Sequence, residues 1–474
     1  DPTWYNYESK EWANVMLRDG LYKTGNNVEE GTEIADKDLG SMYVWIPRYA
    51  YTISDANNEN KINVTFVKGN TNEGVNGEIF TTDESVDTTS TKLVHPGFNL
   101  GGSPLTGIWV AKFEASYASG KNKVAVKGSS VSYSKSIVWA NKTERGTTDN
   151  GDEEARNWLD GIYGSTKTSI KYPTFQGTTY TMNYISHNDC FNIAKVLNET
   201  GNIYGLSETD SDSHLMKNSE WGACVYLGAS VYGQNEKKIT INNANLNSGG
   251  TKRTVREGKN KVDSVYNVTG CTNNTTDVGE VITTISAINN VSKDTPTSNG
   301  IFTWNQKTGQ NASTTGTIYG IYDMTGGIYE RTAAYIANEN GNLKRYGESI
   351  AYNGNTLKEE STKYTTVYPF NELDSKGNKV TNLDTASQQN FVANIKIYGD
   401  AIRETNNGKA GTSESEWNYS SWSRDYSYFP ALHVPFFSRG GDWGSASHAG
   451  GYVFYRVNGY SGYNYGFRAV LINK

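Results

Sequence analysis

Three long polar tracts divide this chain into short segments that can form regular structure. Residues 54–91, 232–315 and 336–395 are rich in Asn, Thr and Ser and contain few apolar anchors. Each tract is therefore predicted to be a loop insertion. Residues 1–40 mix aromatic residues with turn formers and are predicted to form a lead-in strand and connector. We expect the remainder, 41–474, to form one domain that carries the insertions.

Strand and helix patterns occupy the segments between the tracts. Residues 42–53 (MYVWIPRYAYTI) and 107–116 (GIWVAKFEAS) are dense in β-branched and aromatic residues, which is typical of strands. Apolar residues recur at helical spacing only near 188–199 and 219–227. The sequence therefore predicts an α+β fold made mainly of short β-strands, with two short helices.

The composition favours some partners and argues against others. The chain has 33 Tyr and 11 Trp among 474 residues, although only 36% of it is hydrophobic. Tyr combines a flat apolar ring with a polar tip, so Tyr-rich surfaces are common in binding sites. The formal net charge of −6 provides no general positive field, and nucleic acid is not expected as a partner. No apolar run approaches the roughly 18 residues of a membrane helix, so no membrane insertion is expected within this chain.

Motifs for metal, phosphate or nucleophilic chemistry are missing from the sequence. Cys190, Cys224 and Cys271 are widely spaced and form no CxxC pair, so neither a disulfide framework nor a zinc site is predicted. We interpret Cys190 and Cys224 as small buried hydrophobic residues. The histidines are scattered, and no HExxH, GxxxxGK[ST] or GxSxG motif is present. We therefore predict no metal site and no cofactor.

Paired carboxylates leave one enzymatic alternative open. Glycosidases use two Asp or Glu side chains whose separation cannot be read from a sequence. A carboxylate near a Gly-rich turn more often caps backbone N–H groups or pairs with Arg. An enzyme that acts on polysaccharide is therefore an alternative prediction, and its candidate carboxylates are Asp323, Glu330, Asp400 and Glu404.

Three blocks of sequence, in order along the chain, carry a family resemblance. They are SHLMKNSEWGACVYL at 213–227, GIYDMTGGIYERTAAY at 320–335, and FFSRGGDW at 436–443 with YGFRAVL at 465–471. The first is similar to a helix that begins with "T-x-x-E-W", the second to "GLYDMSGNVWEW", and the last to "RGGSW" and "GFR". All of these phrases belong to the formylglycine-generating enzyme (sulfatase-modifying factor) family. The resemblance implies an elaborated C-type-lectin-like fold.

The chain also resembles a bacterial and phage subgroup of that family. The shared phrases are MYVWIPRY at 42–49, HPGF at 95–98, GIWVAKFE at 107–114 and SHLMKNSEWGA at 213–223. The family's enzymes depend on two cysteines near their C-terminal phrase, whereas 272–474 contains no Cys. The resemblance thus implies a non-catalytic protein that works outside the cell, on a bacterial surface or a phage virion. Folds of this family often hold structural calcium, so a structural Ca²⁺ ion could also be present.

Eight residues of these blocks are predicted to support the fold. Asp323 can accept hydrogen bonds from nearby backbone N–H groups while Gly326 and Gly327 adopt positive φ, which gives a tight turn. The two arginines of the C-terminal blocks are expected to be buried partners of carboxylates. The glycine pair next to the first of them lets the backbone approach a core Trp. The predicted scaffold set is Asp323, Gly326, Gly327, Arg439, Gly440, Gly441, Trp443 and Arg468.

The segment between the RGG and GFR phrases has the composition of a binding surface. Residues 443–468 consist almost entirely of Gly, Ser, Ala, Asn, Tyr and Phe, and Tyr, Ser, Gly and Asn dominate natural paratopes. The segment resembles the variable region of C-type-lectin proteins that retroelements diversify. Such diversification cannot create Lys, Glu, Gln, Met or Trp, and 444–473 contains none of them. Residues 423–442 also lack all five, so a diversified face, a fixed face and a buried or subunit-interface role all stay open.

The leading prediction is a non-enzymatic adhesin or receptor-binding protein. It would recognise a glycan or protein receptor on another cell or host through the face formed by 439–468. The alternative is a structural subunit of a surface filament, pilus or phage virion, which would form homo-oligomers. Because side chains alternate along a strand, about half of the candidates should face inward. The candidate contact residues are Asp442, Ser445, Ser447, His448, Tyr452, Phe454, Tyr455, Arg456, Asn458, Tyr460, Tyr463 and Tyr465.

Overall fold

The chain is a mixed α+β structure of mostly short strands in small sheets. The computed structural model describes residues 4–19, 38–55, 60–116, 173–246, 266–272, 300–408 and 420–474 apart from positions 180, 184, 236, 375, 461 and 463, together with 130–132, 169–171, 254–257, 260–263, 281–282 and positions 31, 32, 34 and 410. Four α-helices lie within these residues. No helix in this part of the chain is long and apolar enough to span a membrane.

The regular elements are numbered here in chain order. The helices are α1 (His187–Lys195), α2 (Asn218–Ala229), α3 (Gly341–Ala351) and α4 (Leu383–Ala393), with short 3-10 helices at Pro96–Phe98, Gly309–Ala312, Trp422–Arg424 and Ala446–His448. The strands are β1 (Asn14–Met16), β2 (Met42–Pro47), β3 (Tyr49–Asp55), β4 (Asn60–Phe66), β5 (Leu93–Val94), β6 (Asn99–Leu100), β7 (Ser103–Pro104), β8 (Gly107–Ala111), β9 (Ser130–Ser132), β10 (Ser169–Lys171), β11 (Ser211–Leu215), β12 (Asn245–Leu246), β13 (Thr254–Glu257), β14 (Asn260–Asp263), β15 (Tyr266–Asn267), β16 (Cys271–Thr272), β17 (Val281–Ile282), β18 (Phe302–Thr303), β19 (Tyr329–Ile336), β20 (Tyr352–Asn353), β21 (Thr356–Leu357), β22 (Thr366–Tyr368), β23 (Phe436–Gly440), β24 (Gly450–Val457), β25 (Tyr465–Phe467) and β26 (Ala469–Asn473).

The first large sheet brings together strands from both ends of the chain. Its order is β1, β2, β8, β26 and β11, and every neighbouring pair is antiparallel. The predicted strand at 42–53 divides at Arg48 into β2 and β3. In the register, Val470 of β26 pairs with Val110 of β8 on one side and with His214 of β11 on the other. The last strand of the chain therefore lies inside a sheet built from its first half.

The second large sheet surrounds β19. Its order is β22, β19, β23 and β24, and β25 also pairs with β19. All eight residues of β19 are buried. Strands β25 and β26 follow one another directly, yet β25 belongs to this sheet and β26 to the first one. Arg468, the residue between them, therefore lies where the two sheets meet.

The polar tract at 54–91, predicted to be a loop insertion, contains ordered structure. Strand β4 forms a hairpin with β3, in which Ile53 pairs with Ile62. Ile62 is buried, and Phe80 further along the tract packs in a small apolar cluster that includes Ala50. A few buried side chains are thus enough to hold this tract against the rest of the molecule.

Both predicted helices are present, as α1 and α2. The hydroxyl of Ser186 accepts a hydrogen bond from the backbone N–H of Asp189 at 3.2 Å and caps the start of α1. Cys190 of α1 and Cys224 of α2 are fully buried free thiols in the two largest apolar clusters, which confirms their interpretation as small hydrophobic residues. Helix α2 is buried almost all round, so it forms part of the core rather than covering it.

The prediction of only two helices was wrong, because the polar tract at 336–395 contains α3 and α4. Asn340 and Asn382 cap them by accepting hydrogen bonds from backbone N–H groups of the first turn. On α3, Leu343 and Ile350 are buried seven residues apart, which is two helical turns. These helices are held by a narrow apolar stripe and a good cap, within a composition that otherwise resembles a loop.

A buried ion pair between Arg468 and Glu330 connects the two large sheets. Arg468 is completely buried, and its Nε donates to Glu330 Oε2 at 2.6 Å while Nη2 donates to Oε1. The remaining donors bind the backbone carbonyls of Ala111 in β8 and Tyr322, each at 2.9 Å. The prediction that Arg468 is a buried carboxylate partner is confirmed. Its guanidinium contacts β8 of the first sheet and β19 of the second.

Two further buried carboxylates lie beside this pair. Asp323 Oδ1 accepts from the backbone N–H of Gly270 and from Asn242 Nδ2, each at 2.8 Å, so its donors come from distant segments rather than from its own turn. Glu114 accepts from the backbone N–H of Ile328 at 2.9 Å. Burial, and then the negative charges of Asp323 and Glu330, raise the pKa of Glu114 well above its usual value.

The turn after Asp323 depends on its glycines. Gly326 and Gly327 have φ values of 78° and 74°, as predicted. A Cβ on Gly327 would lie 2.4 Å from Glu114 Oε1, so the backbone can approach this carboxylate only without a side chain. The turn thus fits closely against the buried acidic cluster.

We predict that Arg468→Met lowers the free energy of unfolding by about 3–5 kcal/mol at pH 7.5, because Glu330 would stay buried without its cation. Urea denaturation followed by circular dichroism measures this loss. The matched control is Lys68→Met, which breaks the solvent-exposed Lys68–Glu73 pair and should leave the denaturation midpoint nearly unchanged. A loss for Arg468→Met no larger than that of the control would contradict the account.

We also predict that Glu114→Gln flattens the pH dependence of stability. The folded-state pKa of Glu114 is raised, so its stabilising contribution is fully present below about pH 4.5 and is lost as the pH rises above that value. Gln cannot ionise, so the free energy of unfolding should fall less steeply between pH 5 and pH 8 in the variant. Glu348→Gln, on the exposed side of α3, should keep the wild-type slope. Equal slopes for wild type and Glu114→Gln would refute the assignment.

Candidate functional site

The β23–β24 hairpin and its connection carry most of the predicted contact residues. The two strands are antiparallel, and their register shifts between Arg439 and Gly440. Gly440 and Gly441 have φ values of 83° and 79°, and a Cβ on Gly441 would lie 2.8 Å from Ala449. The glycine pair therefore allows the connection at 441–449 to fold back against the strands.

Arg439 anchors this hairpin without a salt bridge. Its guanidinium is buried and donates to the backbone carbonyls of Asp400 and Ala401 at 2.9 and 3.0 Å. The prediction of a carboxylate partner is corrected here, since the acceptors are main-chain oxygens. Burial lowers the pKa of Arg439 to about 10, and the nearby Asp400 charge partly opposes that shift.

Asp442 organises the connection between the strands. Its Oδ1 accepts from Ser445 Oγ at 2.8 Å and from the backbone N–H of Gly444 at 3.1 Å. Its Oδ2 accepts from Asn464 Nδ2 at 3.1 Å. Asp442 is half-buried whereas Ser445 is buried, so Ser445 supports the loop from inside. Trp443, predicted to lie in the core, is also only half-buried.

A continuous group of tyrosines lies beside this loop. The ring centroid of buried Tyr329 lies 5.4 Å from that of Tyr455 and 5.8 Å from that of Tyr465. The ring centroids of Tyr460 and Tyr465 are 6.2 Å apart. Tyr329 OH is 3.3 Å from Ser445 Oγ, which joins the rings to the Asp442 loop. Tyr455 and Tyr460 are half-buried and reach the surface, whereas Tyr465 is buried beneath them. We call the surface formed by Tyr455, Tyr460, Asp442 and Asn464 the tyrosine face.

Strand alternation separates the predicted contacts in β24 into two sets. Val453, Tyr455 and Val457 pack with the cluster that contains Tyr329, whereas Phe454 packs in a different cluster. Tyr452 packs against a third cluster. Because successive side chains leave a strand on opposite faces, Tyr452 and Tyr455 point to opposite sides of the sheet. The predicted contact residues of β24 therefore lie on two surfaces, whereas the sequence analysis expected one.

Two predicted contact residues, Phe454 and Arg456, contact other parts of the protein instead of forming an exposed surface. Phe454 is completely buried, and its ring is parallel to that of Phe391 at 6.3 Å. Arg456 Nη2 donates to Asp384 Oδ1 of α4 at 2.6 Å, and Nη1 donates to the carbonyl of Leu383 at 3.0 Å. Its side chain is 11% exposed. Both residues hold α4 against the sheet, which the segment's composition could not indicate.

A cleft lies on the Tyr452 side of the sheet. It is open to solvent, and its lining includes Trp422, Val225 and Ala229. The rings of Trp422 and Tyr452 are 5.4 Å apart at 70°. At its edge, Lys238 Nζ donates to Asp425 Oδ1 at 2.9 Å and to the backbone carbonyl of Ser447 at 2.6 Å. We call this feature the Lys238 cleft.

The remaining predicted contacts lie at the margins of these two surfaces. Ser447 is exposed, and His448 is half-buried with its ring 5.5 Å from that of Tyr426. Asn458 is half-buried and accepts a hydrogen bond from the backbone N–H of Tyr460 at 3.2 Å. Tyr463 lies outside the described residues. Ser447 and His448 therefore belong near the Lys238 cleft, and Asn458 near the tyrosine face.

The candidate catalytic carboxylates are all buried within the scaffold. Asp323, Glu330, Asp400 and Glu404 are each at most 5% exposed. Burial raises the pKa of Glu404 to about 7, and its hydrogen bonds oppose that shift. Among the described residues, no group of three or more His, Cys, Asp or Glu side chains is arranged to hold a metal ion. The donors to Glu404 are Tyr51 OH, Thr88 Oγ1, Tyr226 OH and the Gly399 N–H, at 2.6–2.8 Å.

Sequence reasoning did not identify several residues of these surfaces. Lys238 lies in a tract predicted to be a loop insertion, and Asp425 is 187 positions further along the chain. Trp422 and Asp425 precede the RGG phrase, and Tyr329 lies in the block at 320–335, outside the segment that was predicted to bind. A Tyr at a strand start next to a Gly-Gly turn was the one local signal for Tyr329. Nothing in the linear pattern connects Lys238 with Asp425.

No model of a known protein family matches the chain, and no curated protein matches it in sequence.

We predict that Phe454→Ala and Tyr460→Ala have different effects on stability. Removing the buried Phe454 ring should lower the free energy of unfolding by about 3–5 kcal/mol, because it leaves a cavity beside α4. Removing the half-buried Tyr460 ring should cost clearly less, because that ring partly contacts water. Parallel urea denaturation of the two variants measures the difference, and equal losses would contradict the assignment of Tyr460 to the surface.

Proposed function

We propose that this protein is a non-enzymatic, extracellular ligand-binding protein, an adhesin or receptor-binding module. Its ligand would be a glycan or protein receptor on another cell or host, bound through the tyrosine face. We further propose that the protein belongs among C-type-lectin-like folds similar to the formylglycine-generating enzymes, and works on a bacterial surface or a phage virion. The observation that carries the proposal is the group of linked tyrosines with a carboxylate and an amide at its edge.

The chemistry of the tyrosine face suits recognition. Tyr455 and Tyr460 offer flat rings and hydroxyl groups, while Asp442 and Asn464 add a carboxylate and an amide next to them. Each ring lies within about 6 Å of another ring, so little side-chain freedom would be lost on binding. A surface that is rigid before the ligand arrives retains more of its contact energy as affinity.

Hydrogen bonds also hold the supporting loop in place. Ser445 and Asn464 both hold the Asp442 carboxylate, and the backbone N–H of Trp443 donates to the carbonyl of Gly327 at 2.8 Å. The bond between Trp443 and Gly327 links the loop at 441–449 to the turn before β19. A binding loop fixed on a buried sheet is the arrangement found in many recognition proteins.

The sequence provides independent support for the same proposal. The segment 443–468 resembles the variable region of retroelement-diversified lectins, and the cysteines on which the related enzymes depend have no counterpart in 272–474. Diversification of the face is one form of the hypothesis, and a fixed binding face is the other. A structural Ca²⁺ ion stays a prediction of the resemblance.

Binding to glycan and extracellular-protein arrays tests the proposal. Wild-type protein should bind at least one array component, and the double variant Tyr455→Ser, Tyr460→Ser should lose most of that signal while keeping its near-ultraviolet circular dichroism. Tyr319→Ser, which removes a ring that is 38% exposed elsewhere, should bind like wild type. Retained binding by the double variant, or equal loss in Tyr319→Ser, would count against the tyrosine face. Absence of any array signal would count against ligand binding.

A structural role is the second candidate, favoured by apolar side chains on and after α4. Leu383, Val392 and Ile395 are 39%, 50% and 51% exposed. Exposed apolar patches often mark contacts between proteins. In this alternative the chain is a subunit of a filament, pilus or virion and forms homo-oligomers. A monomer at high protein concentration in analytical ultracentrifugation would contradict it.

A further inference from the structure

A buried histidine lies between two carboxylates at the edge of the first large sheet. His214 belongs to β11, the last strand in the order of that sheet, and its side chain is completely buried. Its Nε2 lies 2.8 Å from Glu220 Oε1 in the first turn of α2, and its Nδ1 lies 3.6 Å from Asp212 Oδ1 on the same strand. Each ring nitrogen therefore faces a negative charge. Only a ring with a proton on both nitrogens matches these surroundings.

The Asp212 side of this site reaches the polar tract at 336–395. Asp212 Oδ2 accepts from Lys363 Nζ at 2.6 Å and from Tyr364 OH at 2.9 Å. The Lys363 side chain is 40% exposed, whereas that of Asp212 is only 5% exposed. From α1, Lys195 Nζ lies over the half-buried Tyr364 ring, 4.6 Å from its centroid. The Asp212 carboxylate thus connects the buried ring to a segment at the surface.

The Glu220 side is enclosed in the core. Glu220 is completely buried, and its Oε2 accepts from the backbone N–H of Lys217 at 2.8 Å. Lys217 Nζ lies 3.5 Å from Glu220 Oε1 and donates to the carbonyl of Asn99 at 3.1 Å. A main-chain bond therefore helps to fix Glu220, whereas the Asp212 carboxylate binds the side chains of Lys363 and Tyr364.

Local charge outweighs burial at His214. Burial lowers the pKa of His95 to about 3, and it lowers the pKa of His187 well below its usual value. Burial acts in the same direction on His214, but the charges of Glu220 and Asp212 reverse the shift and raise its pKa above the ordinary 6.5. Burial alone would raise the pKa values of both carboxylates, yet their contacts with His214 hold them below the usual range. At neutral pH the site therefore holds an imidazolium between two carboxylates.

Loss of the ring proton would act on the Asp212 side. A neutral imidazole donates from one nitrogen only. The shorter contact, to Glu220, would keep the proton, so Nδ1 would turn a lone pair toward Asp212. The attraction across 3.6 Å would then become a repulsion. Asp212 can relieve it by moving outward together with Lys363 and Tyr364, which are only half-buried.

We propose that His214 and Asp212 form a pH-sensitive latch, which holds residues 361–365 against β11 while the ring is protonated and releases them when it is neutral. Because the folded-state pKa of His214 is raised, the latch contributes fully below about pH 6.5 and is lost as the pH rises above that value. The segment leads directly into β22, an outer strand of the second large sheet. The latch does not depend on the function proposed for the tyrosine face.

Carbon-13 NMR of labelled histidine tests the protonation of the ring. The chain has five histidines, so the His214 signal is assigned by its absence from His214→Gln. His214 should titrate above about pH 6.5 in the wild type. In Asp212→Asn its midpoint should fall, because one of the two negative charges is gone. A wild-type midpoint at or below about pH 6.5, or an unchanged midpoint in Asp212→Asn, would overturn the proposal.

Hydrogen–deuterium exchange at about pH 6 and about pH 9 tests the release. After correction for intrinsic exchange rates, the protection of residues 361–365 in the wild type should fall on the order of tenfold at the higher pH. In Asp212→Asn it should be the same at both pH values, because Nδ1 no longer faces a charge. His433→Gln, which removes an exposed histidine, should behave like the wild type. Unchanged protection in the wild type, or a wild-type response in Asp212→Asn, would contradict the latch.

A local comparison separates the latch from other groups that titrate in this range. Burial lowers the pKa of Lys112 and raises those of Glu330 and Glu404, in each case to about 7. Their titration changes the stability of the whole protein, so the denaturation midpoint does not isolate the latch. Helix α4 should keep the same protection at both pH values while 361–365 loses it. An equal loss in α4 would show general loosening and would overturn the proposal.

Discussion

The guanidinium of Arg468 is the interaction on which the C-terminal architecture depends. It lies between β25 of one sheet and β26 of the other, and its four hydrogen bonds go to Glu330 and to two carbonyls from different segments. Water cannot replace these partners in a fully buried site, so loss of any one leaves an unsatisfied charge or carbonyl. The position of the last strand, and with it the position of the loop that precedes it, follows from this one side chain.

Strand geometry then decides what the C-terminal segment can present. Tyr452 and Tyr455 are three residues apart but lie on opposite faces of β24, with buried Val453 and Phe454 between them. The tyrosine face and the Lys238 cleft thus use the same strand from opposite sides. Both surfaces rest on buried side chains, which keeps their polar groups in place without a ligand.

Some parts of this organisation could be predicted from the sequence because local physical signals agree with the final structure. The helices α1 and α2 combine apolar spacing with buried thiols at Cys190 and Cys224. Gly326 and Gly327 adopt positive φ at a turn where no side chain would fit. Arg468 was expected to meet a carboxylate because a buried arginine requires one or several acceptors.

Other parts could not be predicted, because they arise from contacts between distant segments. Phe454 lies in a segment whose composition is typical of a binding surface. It is buried because Phe391 of α4 packs against it. Arg456 is directed by Asp384, whose helix lies in a tract with few apolar residues. Lys238 and Asp425 are 187 positions apart in the sequence, and no local sequence pattern predicts that they form an ion pair.

The most direct test of the central claim is hydrogen–deuterium exchange of the whole protein with and without its strongest-binding array component. We predict slower exchange in the connection at 441–449 and in 458–465, with no change in α4. Protection confined to α4, or absent from 441–465, would contradict the claim that the C-terminal segment forms the binding surface.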